Sequence, residues 1–140
     1  MTRDDIMALL ARRHDAIARR DAAALVADYA EDAVVESPLA GIVKGREANE
    51  QVYRAWFSSF PDRVDHAEEA IIDGDRAALF ATLTGTDLGG FMGLAPTGKP
   101  FRIPIVYLFT FEDRHIVHER RIYDFTGMLV QIGVLKAKPA

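Results

Sequence analysis

Hydrophobic residues follow two different spacings along the chain, and the change of spacing divides it into a helical part and a strand part. The first part places apolar residues three and four apart, which is typical of amphipathic helices. This spacing predicts helices over residues 2–20, 21–29 and 46–60. A short strand over 33–36 should separate the second helix from the third, and Ser37-Pro38 should end it.

The second part alternates apolar and polar residues and predicts an antiparallel meander. Four strands are expected, over residues 64–72, 77–86, 101–111 and 115–123. A loop rich in glycine separates the second strand from the third, and an amphipathic stretch over 125–133 follows the last. Helices followed by a meander predict an α+β fold with the helices packed against one face of the sheet.

The third strand identifies the core face of the predicted sheet. Its odd positions are all apolar or aromatic: Phe101, Ile103, Ile105, Tyr107, Phe109 and Phe111. A two-residue turn at Asp113-Arg114 would place Phe109 opposite His118, Tyr107 opposite Arg120 and Ile103 opposite Asp124. This register sends His118, Arg120 and Asp124 into the apolar interior, whereas a slip of one residue would reverse every side chain.

Three polar side chains in one apolar cavity suggest a small-molecule site. A carboxylate desolvated by Ile103, Trp56 and Phe60 would have a raised pKa and could transfer protons near neutral pH. Asp124 is therefore the candidate acid/base. Two other interpretations stay open, since Asp124 could cap the last helix and the three residues could form an internal structural network.

Asn49 lies on the apolar stripe of the third helix, together with Trp56 and Phe60. Its amide could reach a ligand. It could equally lie at the exposed start of the helix, and this second interpretation is favoured because polar residues usually stay hydrated.

Composition narrows the class of protein. The 140 residues suit one domain over 1–140, and a net charge of −4 argues against a nucleic-acid partner. There is no cysteine, no run long enough to span a membrane and no signal-peptide pattern at the start, so we expect a cytoplasmic protein. His115 and His118 would point to opposite faces of their strand, and no metal site is expected.

The opposite face of the third strand carries a mixture of polar and apolar residues, among them Arg102, Val106 and Leu108. Such a mixed surface suits a homodimer in which both subunits use the same patch. A solvated sheet face is the alternative.

Taken together, the chain resembles the nuclear transport factor 2-like fold and, within it, the SnoaL-like polyketide cyclases. Two segments carry most of the resemblance: Gly85-Thr-Asp-Leu-Gly-Gly-Phe-Met-Gly-Leu-Ala-Pro-Thr-Gly-Lys99, and Glu119-Arg-Arg-Ile-Tyr-Asp124 with Gln131-Ile-Gly133. Less specific support comes from Arg20-Asp-Ala-Ala-Ala-Leu25 and Phe60-Pro-Asp62. The resemblance implies a cone, in which a bent sheet wraps three helices around an internal pocket.

The resemblance also implies a chemistry. The family's cyclases use an aspartate at the end of the last long strand as acid/base, a position that matches Asp124, and they close rings by aldol chemistry without a cofactor. An aldol reaction needs a base, a donor for the developing oxyanion and an apolar clamp. Arg120 or His118 fits the donor, and the clamp would be formed by Trp56, Phe60, Tyr107 and Phe109. Asp87 stands where the family often has histidine. We therefore expect cyclisation or isomerisation of a carbonyl compound, or else non-catalytic binding of an apolar molecule.

Overall fold

The computed structural model describes residues 1–136. The helices are α1 (Arg3–Ala18), α2 (Ala22–Val26), α3 (Arg46–Ser59) and α4 (Phe125–Gln131). The strands are β1 (Tyr29–Ser37), β2 (Gly41–Lys44), β3 (Val64–Asp73), β4 (Arg76–Thr86), β5 (Pro100–Glu112) and β6 (His115–Tyr123). The predicted α+β class is confirmed.

Side-chain caps fix where the first two helices begin. Thr2 and Asp5 form a reciprocal capping box, in which each backbone N–H donates to the other side chain at 2.9 and 3.1 Å. Asp21 accepts a hydrogen bond from the Ala24 N–H at 3.0 Å and starts α2. The buried face of α1 then follows the predicted stripe, including Ile6, Leu9, Leu10 and Ile17.

The six strands form one curved sheet in the order β2-β1-β6-β5-β4-β3. Every neighbouring pair is antiparallel except β1 and β6, which run parallel, so the sheet is mixed at this one pair. The prediction for the first strand was too short, and β2 was missed. β1 ends at Ser37, and a turn then leads into β2. The Ser37 hydroxyl stabilises this turn by accepting a hydrogen bond from the Ala40 N–H at 3.1 Å.

The register between β5 and β6 departs from the prediction after two pairs. Asp113 and Arg114 form the expected turn, both with positive φ (48° and 67°), which is the geometry of a tight hairpin. Glu112 pairs with His115 as predicted. A β-bulge then follows, because Phe111 pairs with Ile116 while Thr110 pairs with His118. Val117 is therefore an extra residue in β6.

The bulge reverses the two faces of β6. Phe109 now lies opposite Glu119 and Tyr107 lies opposite Arg121. Glu119 is 0 % exposed and Arg121 is 7 % exposed, whereas Ile122 on the other face is 53 % exposed. The prediction that His118, Arg120 and Asp124 point into the core was therefore wrong. A shift of one residue in the pairing exchanges the side chains of a strand between its two faces.

The core lies between the helices and the concave face of the sheet. All six odd residues of β5 are buried there, as the sequence predicts. Aromatic rings fill one end of this core: Trp56, Phe60, Phe91 and Phe101 pack with centroid separations of 5.0–5.7 Å. Within residues 1–136, no helix is long and apolar enough to cross a membrane.

Candidate functional site

The interior of the fold contains charged and phenolic side chains as well as apolar ones. We call this set the interior charge cluster: Arg13, Arg63, Asp65, Glu119 and Arg121, with Tyr29, Tyr53 and Tyr107. Each of the eight is at most 7 % exposed. Buried charges are costly unless they are paired, so the pairing within this cluster decides what it can do.

Asp65 on β3 is held by two neighbours. Arg63 donates to its two carboxylate oxygens at 2.8 and 3.2 Å, and the Tyr107 hydroxyl donates to Oδ2 at 2.6 Å. Burial by itself raises the pKa of Asp65. The charge and hydrogen bonds of Arg63, the charge of Arg13 and the Tyr107 hydrogen bond outweigh burial and lower that pKa to about 2. Asp65 is therefore ionised at any physiological pH.

Glu119 on β6 has the equivalent arrangement. It is paired with Arg121 and accepts a hydrogen bond from the Tyr29 hydroxyl. Burial raises the pKa of Glu119, but the charges of Arg121 and Arg13 and these hydrogen bonds outweigh it, so the pKa falls below its ordinary value. Burial, and then the charge of Glu119, raise the pKa of Tyr29, which stays a protonated donor.

Tyr53 on α3 joins the two sides of the cluster. Its hydroxyl oxygen accepts from Nη2 of Arg121 at 2.6 Å and from Nη2 of Arg13 at 3.2 Å. The same oxygen lies 3.2 Å from the Tyr29 hydroxyl. A single phenol therefore links α1, α3, β1 and β6.

Arg13 is the one arginine of the cluster without a carboxylate partner among the described residues. Its guanidinium stacks over the Tyr107 ring, 4.2 Å from the centroid, and lies 5.2 Å from the centroid of Phe109. Its only hydrogen bond within residues 1–136 is the one to Tyr53, and its buried Nε has no partner there. The cluster holds three cations and two anions, so one positive charge is in excess, and Arg13 carries it.

A cavity of about 330 Å³ lies between α1 and the strands β3 and β4. We call it the α1 cavity. Arg13 and Asp65 contribute to its lining, and His14, Glu68 and Glu69 do so as well. The rest of the lining is apolar: Met7, Leu10, Ala11, Ala67, Ala70, Leu79 and Ala81. An apolar pocket with a few convergent polar groups is typical of small-molecule sites.

Asp124 lies away from this cavity. It is exposed, and its carboxylate accepts from the Gly127 N–H at 2.8 Å, so it caps α4. His118 is half-buried and contacts Glu36 on the neighbouring strand at 2.7 Å. Arg120 is exposed. The capping interpretation of Asp124 is confirmed, and the catalytic roles of the three residues stay predictions.

The residues expected to bind substrate fall into two groups. Tyr107 and Phe109 lie under Arg13, whereas Trp56, Phe60 and Ile103 are buried in the core. Trp56 and Phe60 belong to its aromatic end, which Phe91 fills. The predicted apolar clamp is thus split between the charge cluster and the aromatic end.

Asn49 and Asp87 have structural partners. Asn49 is 1 % exposed and donates to the carbonyl oxygens of Val43 and Gly45, so the expectation of an exposed helix start was wrong. Asp87 is also 1 % exposed and accepts from the N–H groups of Gly90 and Thr97. The Asp87 carboxylate therefore folds the loop that carries Phe91.

Sequence reasoning missed Arg13, Arg63, Asp65, Glu119 and Arg121. Arg13 could have been found, because it lies four residues after Leu9 and four before Ile17 on the buried stripe of α1. No pattern in the sequence marks Glu119 and Arg121 as interior, since their orientation depends on the bulge at Val117.

A family model describes 125 residues of this chain, from position 8 to position 132, as a SnoaL-like polyketide cyclase. The chain belongs to this family. No curated protein sequence matches it.

Solved structures give the same result for the fold. AclR from Streptomyces galilaeus, provisionally described as a hydroxylase, has a TM-score of 0.85 at 25% identity, over 99% of this chain and 87% of its own. IdmH from Streptomyces antibioticus, provisionally described as a polyketide cyclase, has a TM-score of 0.77 at 28% identity, and the match covers 91% of this chain and 97% of IdmH. An NTF2-like protein from Burkholderia pseudomallei K96243 has a TM-score of 0.75 at 20% identity, and the match covers 94% of this chain and 98% of that protein. The predicted nuclear transport factor 2-like fold is confirmed.

The family and its structural neighbours indicate an enzymatic or binding function toward a small molecule. In the part of the chain that the structure describes, no group of three or more His, Asp or Glu side chains is arranged to hold a metal ion.

Proposed function

We propose that this member of the family catalyses proton transfer on a small carbonyl compound without a cofactor, leading to aldol-type cyclisation or to isomerisation. One observation carries the proposal: a buried cation with free hydrogen-bonding capacity and an ionised carboxylate line the same largely apolar cavity. These are the elements that enolate chemistry requires.

In this mechanism a carboxylate removes a proton from the carbon beside the carbonyl, and Arg13 stabilises the enolate oxygen. In cyclisation the enolate carbon attacks the carbon of a second carbonyl group, and the alkoxide formed there takes the proton back from the carboxylic acid. In isomerisation the same acid returns the proton to a different carbon. Asp65 is the carboxylate that lines the α1 cavity. Asp124 is the carboxylate that the family resemblance favours, and a substrate would have to reach it at the start of α4.

Non-catalytic binding of an apolar molecule is the second candidate. It is favoured by the low pKa of Asp65, about 2, because such a carboxylate is a weak base at neutral pH. The same cavity and the same arginine would hold a ligand without chemistry.

The experiment begins with native mass spectrometry of the purified protein, to identify a co-purified small molecule. That molecule is then incubated with the protein in D₂O, and deuterium entry beside its carbonyl is followed by NMR. Protein-dependent exchange supports catalysis, whereas binding without exchange supports the second candidate.

Two variants assign the base in the exchange assay. Asp124→Asn keeps the helix cap, because asparagine is as good a cap as aspartate, and so tests only the chemistry. Asp65→Asn combined with Arg63→Met tests the carboxylate of the cavity without leaving the Arg63 charge unpaired. The variant that abolishes exchange identifies the base, and wild-type exchange in Asp124→Asn removes Asp124 from that role.

We also propose a homodimer formed through the outer face of the sheet. Phe80, Val106 and Ile122 lie side by side there on β4, β5 and β6. Phe80 and Val106 are half-buried and Ile122 is exposed, so the three form an apolar row that a second copy could cover. Sedimentation should give a dimer at micromolar concentration and a monomer for Ile122→Glu. A monomeric wild type would contradict the proposal.

A further inference from the structure

Within residues 1–136, Arg13 has no carboxylate partner, unlike the other buried arginines of the cluster. Arg63 is paired with Asp65 and Arg121 with Glu119, while Arg13 donates one hydrogen bond, to the Tyr53 hydroxyl. A guanidinium carries five N–H donors, so most of its capacity is unused within residues 1–136. An uncompensated buried charge destabilises a protein, and such costs are kept where function needs them.

We propose that the α1 cavity binds a small apolar molecule bearing an anionic oxygen, a carboxylate or an enolate, which pairs with Arg13. This inference rests on the proposed function and names the class of its ligand. The ligand's apolar part would contact Leu10 and Leu79, and its oxygen would meet the guanidinium edge. The volume of about 330 Å³ lies at the small end of ligand pockets, roughly 300–1,000 Å³, and suits one or two rings.

Three acidic residues line the cavity and would repel an anionic ligand, but pairing and exposure to solvent weaken this repulsion. Asp65 is already neutralised by Arg63 at 2.8 Å. Glu68 and Glu69 are exposed, and Glu68 is engaged by the Thr82 hydroxyl at 2.5 Å. Water and salt screen exposed charges, whereas the excess charge of Arg13 acts in the low-dielectric interior. The positive charge of Arg13 therefore outweighs the acidic residues, and the cavity should prefer an anionic ligand.

The test compares three probes with one skeleton: 2-naphthoate, the neutral ketone 2-acetonaphthone and 2-methylnaphthalene. Affinities are measured by fluorescence titration of the whole protein. We expect 2-naphthoate to bind roughly tenfold or more tightly than the ketone, which is the effect of a hydrogen bond to a charged group. Equal or tighter binding of the ketone, or no binding of 2-naphthoate at millimolar concentration, would overturn the proposal.

Arg13→Met removes the cation and keeps an apolar chain of similar length. We expect this variant to lose the preference for 2-naphthoate while its affinity for 2-methylnaphthalene stays within about twofold. Its thermal midpoint should be unchanged or higher, because an unpaired charge has been removed. A lower midpoint with an intact preference would mean that Arg13 is purely structural and that the anion binds elsewhere.

A second pair of variants leaves the charge cluster untouched. Ala11→Phe puts a bulky side chain on the exposed wall of the cavity and should abolish binding of 2-naphthoate. Ala18→Phe, at an exposed position of α1 outside the lining, is the control. If Ala11→Phe still binds the probe, the site is wrong even though the chain could still be a small-molecule enzyme. The deuterium-exchange assay on a co-purified ligand decides that separate question.

Discussion

The Arg63–Asp65 pair makes a quantitative prediction about acid stability. Asp65 is 4 % exposed, and its pKa in the folded protein is about 2, compared with an ordinary value of 3.8. Because the folded-state pKa is depressed, the carboxylate stabilises the fold above the ordinary pKa. That contribution is lost as the pH falls through 3.8 toward 2.

The magnitude follows from the two values. A difference of 1.8 between 3.8 and about 2 corresponds to about 2.4 kcal/mol of unfolding free energy, at roughly 1.36 kcal/mol per pH unit. The loss begins near pH 5 and reaches about 1 kcal/mol by pH 3, because the unfolded chain binds the proton first. Glu119 should add to the loss in the same direction, since its pKa is also lowered.

The assay is urea unfolding at several values between pH 6 and pH 3. The test protein combines Arg63→Met with Asp65→Asn, so that neither partner of this pair is left as a buried charge alone and Tyr107 keeps an acceptor. Its unfolding free energy should fall by about 1 kcal/mol less than that of the wild type over this range. Asp73→Asn, at an exposed carboxylate, is the control and should follow the wild type.

Two results would refute this reasoning. One is an Asp65 carboxyl that titrates at or above 3.8 in a carbon-13 NMR experiment on the folded protein. The other is an identical pH dependence in the wild type and the double variant. Either would mean that the effect of burial on the Asp65 pKa cancels or outweighs that of the ion pair.

Three further predictions concern the parts around the site. Phe91→Ala should cost about 3–5 kcal/mol in urea unfolding because it empties the aromatic end of the core, whereas Leu94→Ala, at a position 52 % exposed, should cost less than about 0.5 kcal/mol. Asp124→Ala should lower stability by about 1 kcal/mol through loss of the hydrogen bond from Gly127, and Asp124→Asn should restore most of it in the same assay. Tyr53→Phe should cost about 1–3 kcal/mol in thermal unfolding, and no change would mean that the cluster does not depend on this hydroxyl.

Much of the fold could be predicted because local signals were strong. The capping residues Thr2 and Asp21 marked the helix starts, and the alternation in β5 identified the buried face without ambiguity. β2 was missed because a strand of only four residues is too short to show a clear alternation of apolar and polar positions. Its formation depends on the turn closed by Ser37 and on pairing with β1.

The candidate site was harder to predict, because it depends on long-range charge pairing. Asp65 and Arg63 look like ordinary polar residues at a strand start. They are interior because Tyr107 hydrogen-bonds to both and the rings of Trp56 and Phe57 lie against Arg63. Arg13 shows the opposite case. Its place on an apolar stripe was visible, but long cationic side chains usually reach solvent from such positions. What holds it inside is aromatic stacking on two rings of β5.

The bulge at Val117 connects the error of register to the chemistry of the interior. Without the extra residue, β6 would send His118 and Arg120 inward and leave Glu119 on the surface. With it, Glu119 enters with its own counter-ion, Arg121, so the pair adds no net charge to the core. The same is true of Arg63 and Asp65, which lie two residues apart on one chain segment. Each carboxylate therefore brings its arginine from a neighbouring position in the sequence. Arg13 lies on a helix, where Asp15, at the same spacing, pairs with Arg19 instead. Arg13 therefore has no carboxylate partner within residues 1–136, and the excess charge lies at the α1 cavity.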